Sequence, residues 1–561
     1  MSELTISQDE VPRASTAAKV SWAILIVATL YVCYFSHLGA IGFVGPDEPR
    51  YAWIARDMAE TGDWVTPHLY GKPWFEKPPL FYWGAALCFK LFGVSEAAAR
   101  LPSAISALLA TLALAWLALR LYGAETARWL LLLLPTTVGM IGFSHAAATD
   151  MPFSAMLTIA MVCAAVVIGL ARNENTPVLP RTPWLALILF GFFLGLAGLA
   201  KGPAAIILSG GAIFFWALFT KRWRDAFRLL HPVVIASFCL SALPWYILCA
   251  RRNPDFFHIF IIEHNFKRYL TPEFQHIQPF WYYIPIVLLA LLPWTPLLAA
   301  PFADIQQAWK QNRQRNSPGL LFACWAVLTL VFFSISKSKL PGYALPSIPP
   351  IVLMLARAVS IRVRTGEPGS RWIGIVSGAI LFCIAGAALT EMDKIPFQVD
   401  YSPPGPLGIV ILAVGFCGIV ALILGAFKKT VPALLLSVVV FPCAIVFSLT
   451  GDALWSLDEG ISPRVAASFA WETTRESPAR QIFTYGFRRA DEYGLSFYLH
   501  RELLEWNANE RQPGWVLTNY LGQERLSKFG LTCFPMRRRE PIAICIDRDL
   551  SSTLPDSRQP H

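Results

Sequence analysis

The sequence predicts a polytopic α-helical membrane protein that carries a small soluble α/β domain at its C-terminal end. Of its 561 residues, 55% are hydrophobic and only 15% are charged, and the mean hydropathy is +0.49. A soluble protein of this size needs far more charge on its surface. Apolar stretches long enough to cross a bilayer core of about 30 Å recur between residues 21 and 450. Their residues do not alternate between polar and apolar, which excludes a transmembrane β-barrel.

Residues 1–450 are predicted to form the membrane domain, with about thirteen spans. The first apolar run follows Arg13 and Lys19 and looks like the start of a signal peptide. Because it lacks a small-residue cleavage site, we interpret it as a retained helix. The predicted spans are 21–42, 101–121, 126–142, 151–171, 184–200, 203–219, 232–250, 281–300, 319–335, 343–358, 372–389, 408–427 and 431–449.

The basic residues between these runs predict the orientation of the chain. With a cytoplasmic N-terminus, every short cytoplasmic loop carries Arg or Lys, as the positive-inside rule requires. The segments 43–100 and 251–280 and the C-terminal domain then face outward, since an odd number of spans puts the termini on opposite sides. The basic residues assigned to the cytoplasmic loops are Arg120, Arg128, Arg172, Arg181, Lys221, Arg222, Arg224, Arg228, Lys310, Arg313, Arg315, Arg357, Arg362, Arg364, Arg371, Lys428 and Lys429.

Net charge and missing motifs narrow the function. The chain has 47 basic and 37 acidic residues, a net charge of +10. In a membrane protein such residues first set topology and next bind acidic lipid headgroups, so we predict membrane-lipid contacts and no nucleic-acid partner. The sequence contains no GK[ST] phosphate loop, CxxC, HExxH or GxGxxG. An ATP-driven pump or a dinucleotide enzyme therefore lacks its usual signature, and no nucleotide cofactor is expected.

Residues 451–561 have ordinary composition and are predicted to form the soluble α/β domain. Strands are predicted at 481–485, 515–518 and 541–545, and helices at 495–506 and 523–529. Cys533 and Cys545 form either a disulfide, which an external domain permits, or two separate buried thiols. The Asp547-Arg548-Asp549 run has the metal-binding spacing of soluble nucleotide-sugar transferases, but we interpret it as the surface end of a strand.

The strongest local signal is the acidic and basic group that follows the first span. It comprises Asp47-Glu48-Pro49-Arg50-Tyr51 and Glu76-Lys77-Pro78-Pro79. Charged residues at the mouth of a transmembrane helix are costly to dehydrate, so they usually lie in a wet cavity with a partner or a ligand. Asp150 begins another span at the same face, where it either caps the helix or holds a ligand. A solvated loop with internal ion pairs is the alternative for the whole group.

These segments, in order, resemble the lipid A aminoarabinose transferase family, bacterial inner-membrane glycosyltransferases of the GT-C fold that are related to the protein O-mannosyltransferases. The resemblance covers the membrane domain to about residue 350, and the C-terminal third resembles the family only in architecture. This sequence has Trp74-Phe75-Glu76-Lys77 where Tyr-Phe-Glu-Lys is expected, so the sugar of the donor could differ. Besides the residues above, the resemblance rests on Thr149-Asp150, Gly198-Leu-Ala-Lys201-Gly202-Pro203, Gln278-Pro279-Phe280-Trp281-Tyr282-Tyr283 and Phe333-Ser-Ile-Ser-Lys337-Ser-Lys339-Leu-Pro341.

The resemblance implies an undecaprenyl (polyprenyl) phosphate donor of 4-amino-4-deoxy-L-arabinose or a similar sugar, and lipid A as the acceptor, at the periplasmic face. Arg50 and Lys77 would then bind the carrier phosphate, although they could instead only pair with Asp47 or Glu76. Asp47 is the implied catalytic carboxylate, in a single displacement that inverts the sugar. Asp150 would hold the donor's amino group or a cation. The remaining substrate-binding candidates are Lys201, Arg268, Lys337, Lys339 and Tyr343.

The resemblance also implies a divalent metal, most simply zinc, bound by Glu76 and His264, with positions left open for water or substrate. Its neighbours Glu263 and Asn265 are the alternative matches for His264. Lys337 and Lys339 could equally anchor a helix end by snorkelling.

Two other functions stay open on the sequence. An enzyme with the same donor could act on a protein or on another envelope glycan. A lipid-sugar transporter or flippase would also have many spans, and the chain has 42 Pro. The polar residues crowd one face rather than the midplane and no inverted repeat is visible, which favours the transferase.

Overall fold

The computed structural model describes residues 15–171, 183–271, 277–300, 318–365, 368–391, 406–448, 458, 461–474, 481–507, 514–535 and 542–547. The boundary predicted at 450/451 lies outside these ranges, as do the basic residues of two predicted cytoplasmic loops (Arg172, Arg181, Lys310, Arg313 and Arg315) and the last two residues of the Asp547-Arg548-Asp549 run.

A helix occupies each of the thirteen predicted spans, which confirms the polytopic α-helical fold. Within the described ranges, nine helices are long and apolar enough to cross a membrane, and a bent pair of helices passes the same test. Three shorter apolar helices occupy the remaining predicted spans: Ala204–Thr220, Phe280–Ala290 and Thr430–Val446. The long helices are Thr16–Tyr34, Glu96–Tyr122, Asp150–Val167, Trp184–Lys201, Pro232–Arg252, Pro318–Ile335, Pro341–Arg364, Arg371–Leu389 and Gly408–Ala426.

Three spans differ from the prediction in shape. The first helix ends at Tyr34 rather than near residue 42, and the chain turns through His37 and Gly45, both at positive φ. The third is a bent pair, Ala124–Leu133 and Val138–Ser144, with 62° between its halves. The span predicted at 281–300 is interrupted after Ala290, because Pro293 cannot donate a helical hydrogen bond.

The helix Asp150–Val167 lies at the centre of the bundle and is buried along nearly its whole length. It packs against Glu96–Tyr122 and Trp184–Lys201. Its alanines, methionines and Phe153 belong to one large apolar core that spans the bundle. Asp150 is therefore placed at the N-terminal end of this enclosed helix.

The segment 43–100, which is predicted to face outward, is folded rather than a simple loop. It contains the helices Asp47–Thr61 and Leu80–Phe92 and a two-stranded hairpin, His68–Leu69 with Lys72–Pro73. The segment 251–280 contains a π-helix, His258–Lys267, and one helical turn, Arg268–Leu270.

The C-terminal region folds as a five-stranded sheet with helices, as the α/β prediction requires. We label its strands βa to βe in chain order. They are βa Ile482–Tyr485, βb Leu504–Glu505, βc Trp515–Asn519, βd Leu531–Pro535 and βe Ile542–Asp547. Their spatial order is βb-βa-βc-βe-βd, with βa parallel to its neighbours and βe antiparallel to both of its own. The helices are Arg464–Thr474, Arg489–Leu499 and Tyr520–Lys528.

Details of this region correct the sequence prediction. The predicted helix 495–506 is wrong in its second half, because His500 adopts a left-handed conformation that ends the helix and βb follows. The strand βd was not predicted. Cys533 and Cys545 form a disulfide between the paired strands βd and βe. Asp547 is the last residue of βe, and the surface interpretation of that run stays a prediction.

Candidate active site

The helix Asp47–Thr61 begins with two carboxylates that have different surroundings. Glu48 is buried, and Arg100 donates to both of its oxygens at 2.9 and 2.8 Å. The same carboxylate accepts hydrogen bonds from the backbone N–H groups of Val44 and Ala147. Glu48 therefore fixes the start of the helix, whereas the Asp47 side chain is 44% exposed and stays accessible.

Glu76 lies at the centre of a buried cluster of cations. Its carboxylate is 3.1 Å from Arg50 Nη1, 3.5 Å from Lys77 Nζ and 2.9 Å from Arg268 Nη1. Burial raises the pKa of Glu76, but Lys77, Arg50 and Arg268 outweigh burial and hold the pKa well below its usual range. The Glu76 carboxylate is therefore ionised, and it brings together three cations that would otherwise repel one another.

Arg50 joins this cluster to Asp47. Its guanidinium donates to the Asp47 carboxylate as well as pairing with Glu76. The rings of Tyr51, Trp74 and Tyr493 lie around it, with centroids 5.4 to 5.6 Å from Cζ. The pairings that the sequence left open for Arg50 and Lys77 are thus present, but they occupy only part of the hydrogen-bonding capacity of the two side chains.

A second pair lies where two central helices end. The Asp150 carboxylate accepts a hydrogen bond from the ammonium of Lys201. Asp150 is the first residue of its helix and does not cap it, and the preceding Thr149 makes no side-chain cap either. Gly202, at φ +83°, ends the helix directly after Lys201. The Lys201 ammonium lies 4.3 Å from the centroid of the Tyr343 ring, in cation–π contact.

Lys77 lies near both groups, because charges from each of them act on its ammonium. Burial lowers the pKa of Lys77 to about 8, and the charges of Arg268 and Lys201 act in the same direction against that of Glu76. The structure thus brings together eight of the predicted residues: Asp47, Arg50, Glu76, Lys77, Asp150, Lys201, Arg268 and Tyr343. Four of these are cations and three are carboxylates, which leaves one surplus positive charge in a largely buried site.

Lys337 and Lys339 have other surroundings. The Lys339 ammonium donates to the backbone carbonyls of Gln278 at 3.0 Å and Ser336 at 2.6 Å. Lys337 is exposed, and its backbone N–H donates to the carbonyl of Tyr269. These contacts tie the turn before residue 341 to the segment around Tyr269. The contacts of the Lys339 ammonium match the anchoring alternative, whereas the role of the Lys337 side chain stays a prediction.

His264 is near enough to the cluster for its charges to act on the imidazole. Burial lowers the pKa of His264, while Glu76 acts in the opposite direction and Lys77 and Arg268 add to the effect of burial. The ring is therefore neutral at pH 7, the form that ligates metals. Across the described residues, His, Cys, Asp and Glu side chains nowhere form a group of three that could hold a metal ion. Glu76 and His264 would thus supply two ligands and leave the others to water or substrate.

Donor groups without acceptors surround Arg50. Arg50 Nε, Trp74 Nε1 and Tyr82 Oη are buried and have no hydrogen-bond partner among the residues that the structure describes. Unpaired buried donors are costly, and in native proteins they usually mark the place of a ligand, an ion or a water. Since all three can donate and Arg50 is cationic, an anion is the ligand that suits them.

Comparisons with known proteins identify the family to which this chain belongs. A family model described as dolichyl-phosphate-mannose-protein mannosyltransferase matches residues 20–260. An undecaprenyl phosphate-alpha-4-amino-4-deoxy-L-arabinose arabinosyl transferase from Erwinia tasmaniensis is 33% identical over 359 residues, which are 64% of this chain and 62% of that protein. A protein of the same name from Edwardsiella ictaluri is 30% identical over 483 residues, which are 81% of this chain and 83% of that protein. This chain belongs to the undecaprenyl phosphate-aminoarabinose arabinosyl transferase family.

The fold of this family member agrees with the assignment. The crystal structure of ArnT from Cupriavidus metallidurans bound to undecaprenyl phosphate superposes with a TM-score of 0.74, covering 94% of this chain and 98% of that one at 24% identity. This likeness confirms the predicted GT-C fold and the multi-pass membrane architecture. Membership of the family, shown by the relatives above, confirms the prediction of a glycosyltransferase.

Sequence reasoning missed three aromatic residues of the transferase site. In the sequence, Trp74 stands out only as a departure from the family pattern. Because it lies two residues before Glu76, which pairs with Arg50, its ring could have been predicted to lie near Arg50. Tyr82 lies in an apolar helix and carries no local signal. Tyr493 lies more than 400 residues from Arg50 in the chain, so only the folded structure shows their contact.

Replacing Gly342 by Ala is expected to lower transfer by about tenfold by displacing Asp150. A Cβ at Gly342 would lie 2.4 Å from Asp150 Oδ1 and 3.0 Å from the Phe143 ring. Overpacking of this kind typically costs about 1–3 kcal/mol, and here the strain falls on the carboxylate that pairs with Lys201. Initial rates in membranes check the prediction. Gly198→Ala is the control, since nothing lies within 4 Å of its Cβ position, and an unchanged rate for Gly342→Ala would contradict it.

Proposed function

We propose that this enzyme transfers 4-amino-4-deoxy-L-arabinose from undecaprenyl phosphate to a phosphate of lipid A at the periplasmic face of the bacterial inner membrane. The observation that carries the proposal is the surplus of cations over carboxylates in one buried site, next to donors that lack acceptors. A lipid phosphate supplies the missing negative charge and the missing acceptors together. The names of the relatives supply the sugar and the carrier.

The orientation of the chain is part of this proposal. Residues assigned to the cytoplasmic side contact one another: Arg364 pairs with Glu125, and Arg357 lies 4.0 Å from the centroid of the Tyr122 ring. The site residues lie together at the other end of the helix bundle, away from these contacts. The disulfide between Cys533 and Cys545 suits an oxidising compartment, as expected of a periplasmic C-terminal domain.

In the proposed reaction, an oxygen of the acceptor phosphate attacks C1 of the sugar as the bond from C1 to the carrier phosphate breaks. The electron pair leaves with undecaprenyl phosphate, and C1 is inverted. The carrier phosphate changes from a diester with one negative charge to a monoester with about two at neutral pH. Because this charge grows in the transition state, Arg50 and Lys77 stabilise the transition state more than the bound donor.

The carboxylates are proposed to act on the sugar and the acceptor. Asp47 is exposed enough to meet the attacking oxygen, and it can also stabilise the positive charge that develops at C1. An acceptor phosphate is already ionised, so Asp47 is needed less as a base than it would be for a hydroxyl. Asp150, which pairs with Lys201, is proposed to bind the amino group of the donor sugar.

The experiment that tests the function is reconstitution in liposomes with the undecaprenyl phosphate donor and lipid A. The proposal expects acceptor-dependent release of undecaprenyl phosphate and the matching gain in mass of lipid A. Dephosphorylated lipid A serves as the matched control acceptor and should not react. Transfer to a protein or another glycan, or lipid movement across the bilayer without release, would overturn the proposal.

We further propose that Glu76 and His264 bind a divalent metal, most simply zinc, together with the substrate. The ionised carboxylate and the neutral imidazole fit such an ion. Glu76 would have to share its oxygens with Arg50, Lys77 and Arg268. When bound, the ion would add positive charge opposite the phosphate groups.

Removal of the proposed ligand His264 is expected to lower both the zinc content of the protein and the rate of transfer. Protein purified without chelator and incubated with donor should contain about one zinc per chain by elemental analysis. His264→Gln should lose that zinc, whereas the exposed His500→Gln should keep it. Equal zinc content in the two variants would show that His264 is not a ligand.

A further inference from the structure

The C-terminal domain reaches into the active site through one helix, Arg489–Leu499. Phe497 of this helix is buried in an apolar core with Phe43 and with Tyr51 and Ala52 of the helix that carries Asp47 and Arg50. The rings of Phe43 and Phe497 meet edge to face, with centroids 4.8 Å apart. The C-terminal domain therefore shares a buried apolar core with the membrane domain at this contact.

Tyr493, one turn earlier on the same helix, faces Arg50. Its ring centroid lies 5.4 Å from the Arg50 guanidinium carbon, within the range of a cation–π interaction. Two further contacts hold the Tyr493 ring in place. It stacks on Tyr70 at 6.4 Å between centroids, and its hydroxyl accepts hydrogen bonds from Arg489.

The same domain holds the turn that precedes Asp47. The backbone N–H of Gly42 donates to Asp458 Oδ1 at 2.6 Å, and that of Phe43 donates to Tyr498 Oη at 2.9 Å. Tyr498 in turn donates to Glu96 at 2.8 Å. A Cβ at Gly42 would lie 2.0 Å from Ser462 Oγ, so no larger residue fits there without separating the two surfaces.

We infer that Tyr493 is a positioning residue that holds the guanidinium of Arg50 in place for the phosphate of the donor, and that the C-terminal domain thereby completes the active site. The carboxylates of Asp47 and Glu76 both form ion pairs with the Arg50 guanidinium. The rings of Trp74 and Tyr493 limit its movement elsewhere, and only Tyr493 comes from the C-terminal domain. The inference rests on the proposed function in one respect, the phosphate donor.

Affinity for undecaprenyl phosphate, measured with the purified full-length protein, tests the inference. Tyr493→Leu should weaken binding by about tenfold, because the cation–π contact is lost. Tyr493→Phe keeps the ring and should bind within about twofold of the unsubstituted protein. Both variants should unfold at an unchanged temperature. In transfer assays, Tyr493→Leu should lower kcat more than it raises the KM for the donor, because Arg50 stabilises the transition state more than the bound donor.

The outcomes separate this inference from the proposed function. If the unsubstituted protein fails to bind undecaprenyl phosphate, the proposed function fails and the inference with it. If it binds and Tyr493→Leu binds equally well, the inference alone is overturned. If Tyr493→Phe and Tyr493→Leu lose the same affinity for undecaprenyl phosphate, the inference is also overturned. The hydroxyl of Tyr493, and not its ring, would then be the group that matters.

A second variant tests the anchoring of the turn. Gly42→Ala should lower binding at least as much as Tyr493→Leu, because it forces the C-terminal domain away from the residues before Asp47. Gly142→Ala is the matched control, since nothing lies within 4 Å of its Cβ position. Unchanged binding by a folded Gly42→Ala protein would overturn the anchoring.

Discussion

Asp47→Asn is expected to abolish transfer, with kcat reduced by at least about 100-fold, while the protein stays folded in the membrane. The substitution keeps the shape of the side chain and removes its charge. The developing positive charge at C1 then loses the exposed carboxylate that is proposed to stabilise it, and Arg50 loses one of its two anionic partners. Single-turnover rates with saturating donor and lipid A measure the effect on the chemical step.

Asp57→Asn is the matched control for this experiment. Asp57 lies on the same helix, and its carboxylate faces His68 at 3.6 Å rather than the cations of the site. Its rate should stay within about twofold of that of the unsubstituted enzyme. Near-normal transfer by Asp47→Asn would remove Asp47 from the mechanism.

Glu76→Gln is expected to destabilise the protein by roughly 3–5 kcal/mol and to eliminate transfer, because it breaks a buried network by removing its anionic centre. Arg50, Lys77 and Arg268 would keep their charges without the carboxylate that holds them together. In the unsubstituted protein the charge of Glu76 raises the pKa of Lys77 and partly offsets the burial that lowers it to about 8. Without that charge, the pKa of Lys77 would fall further. Thermal unfolding in detergent and initial rates together measure the two effects.

Glu60→Gln applies the same substitution to an exposed pair. Glu60 is 47% exposed; it pairs with Arg56 one helical turn away and lies 3.4 Å from Nε2 of His500, which is also exposed. Exposed pairs of this type contribute about 0.3–0.5 kcal/mol, so neither stability nor transfer should change appreciably. A Glu76→Gln protein that matched Glu60→Gln in both measurements would show that Glu76 does not organise the site.

The membrane domain was predictable from the sequence because its signals are local. Each span is a continuous apolar run, and the turns between runs carry their own charges. The residues of the site could be chosen for a related reason: Asp47, Glu76, Asp150 and Lys201 all lie where a predicted span begins or ends, or in the first outward segment. The prediction did not require knowledge of how the helices pack.

Other features depend on packing and could not be predicted. Glu48 and Asp47 are adjacent and chemically alike, and only the burial of Glu48 against Arg100 shows which of them is structural. Lys339 resembles a phosphate ligand until its two backbone acceptors are seen. The contribution of Tyr493 depends on the docking of a domain whose sequence resembles the family only in architecture.

Binding of undecaprenyl phosphate, compared with undecaprenol, tests most directly the claim that the cations around Arg50 recognise the donor's phosphate. The two lipids share the same chain, so any difference in affinity reports the headgroup. We predict that the protein binds the phosphate at least about tenfold more tightly, and that Arg50→Gln loses this preference while the exposed Arg252→Gln keeps it. Equal affinity for the two lipids, or an undiminished preference in Arg50→Gln, would contradict the account.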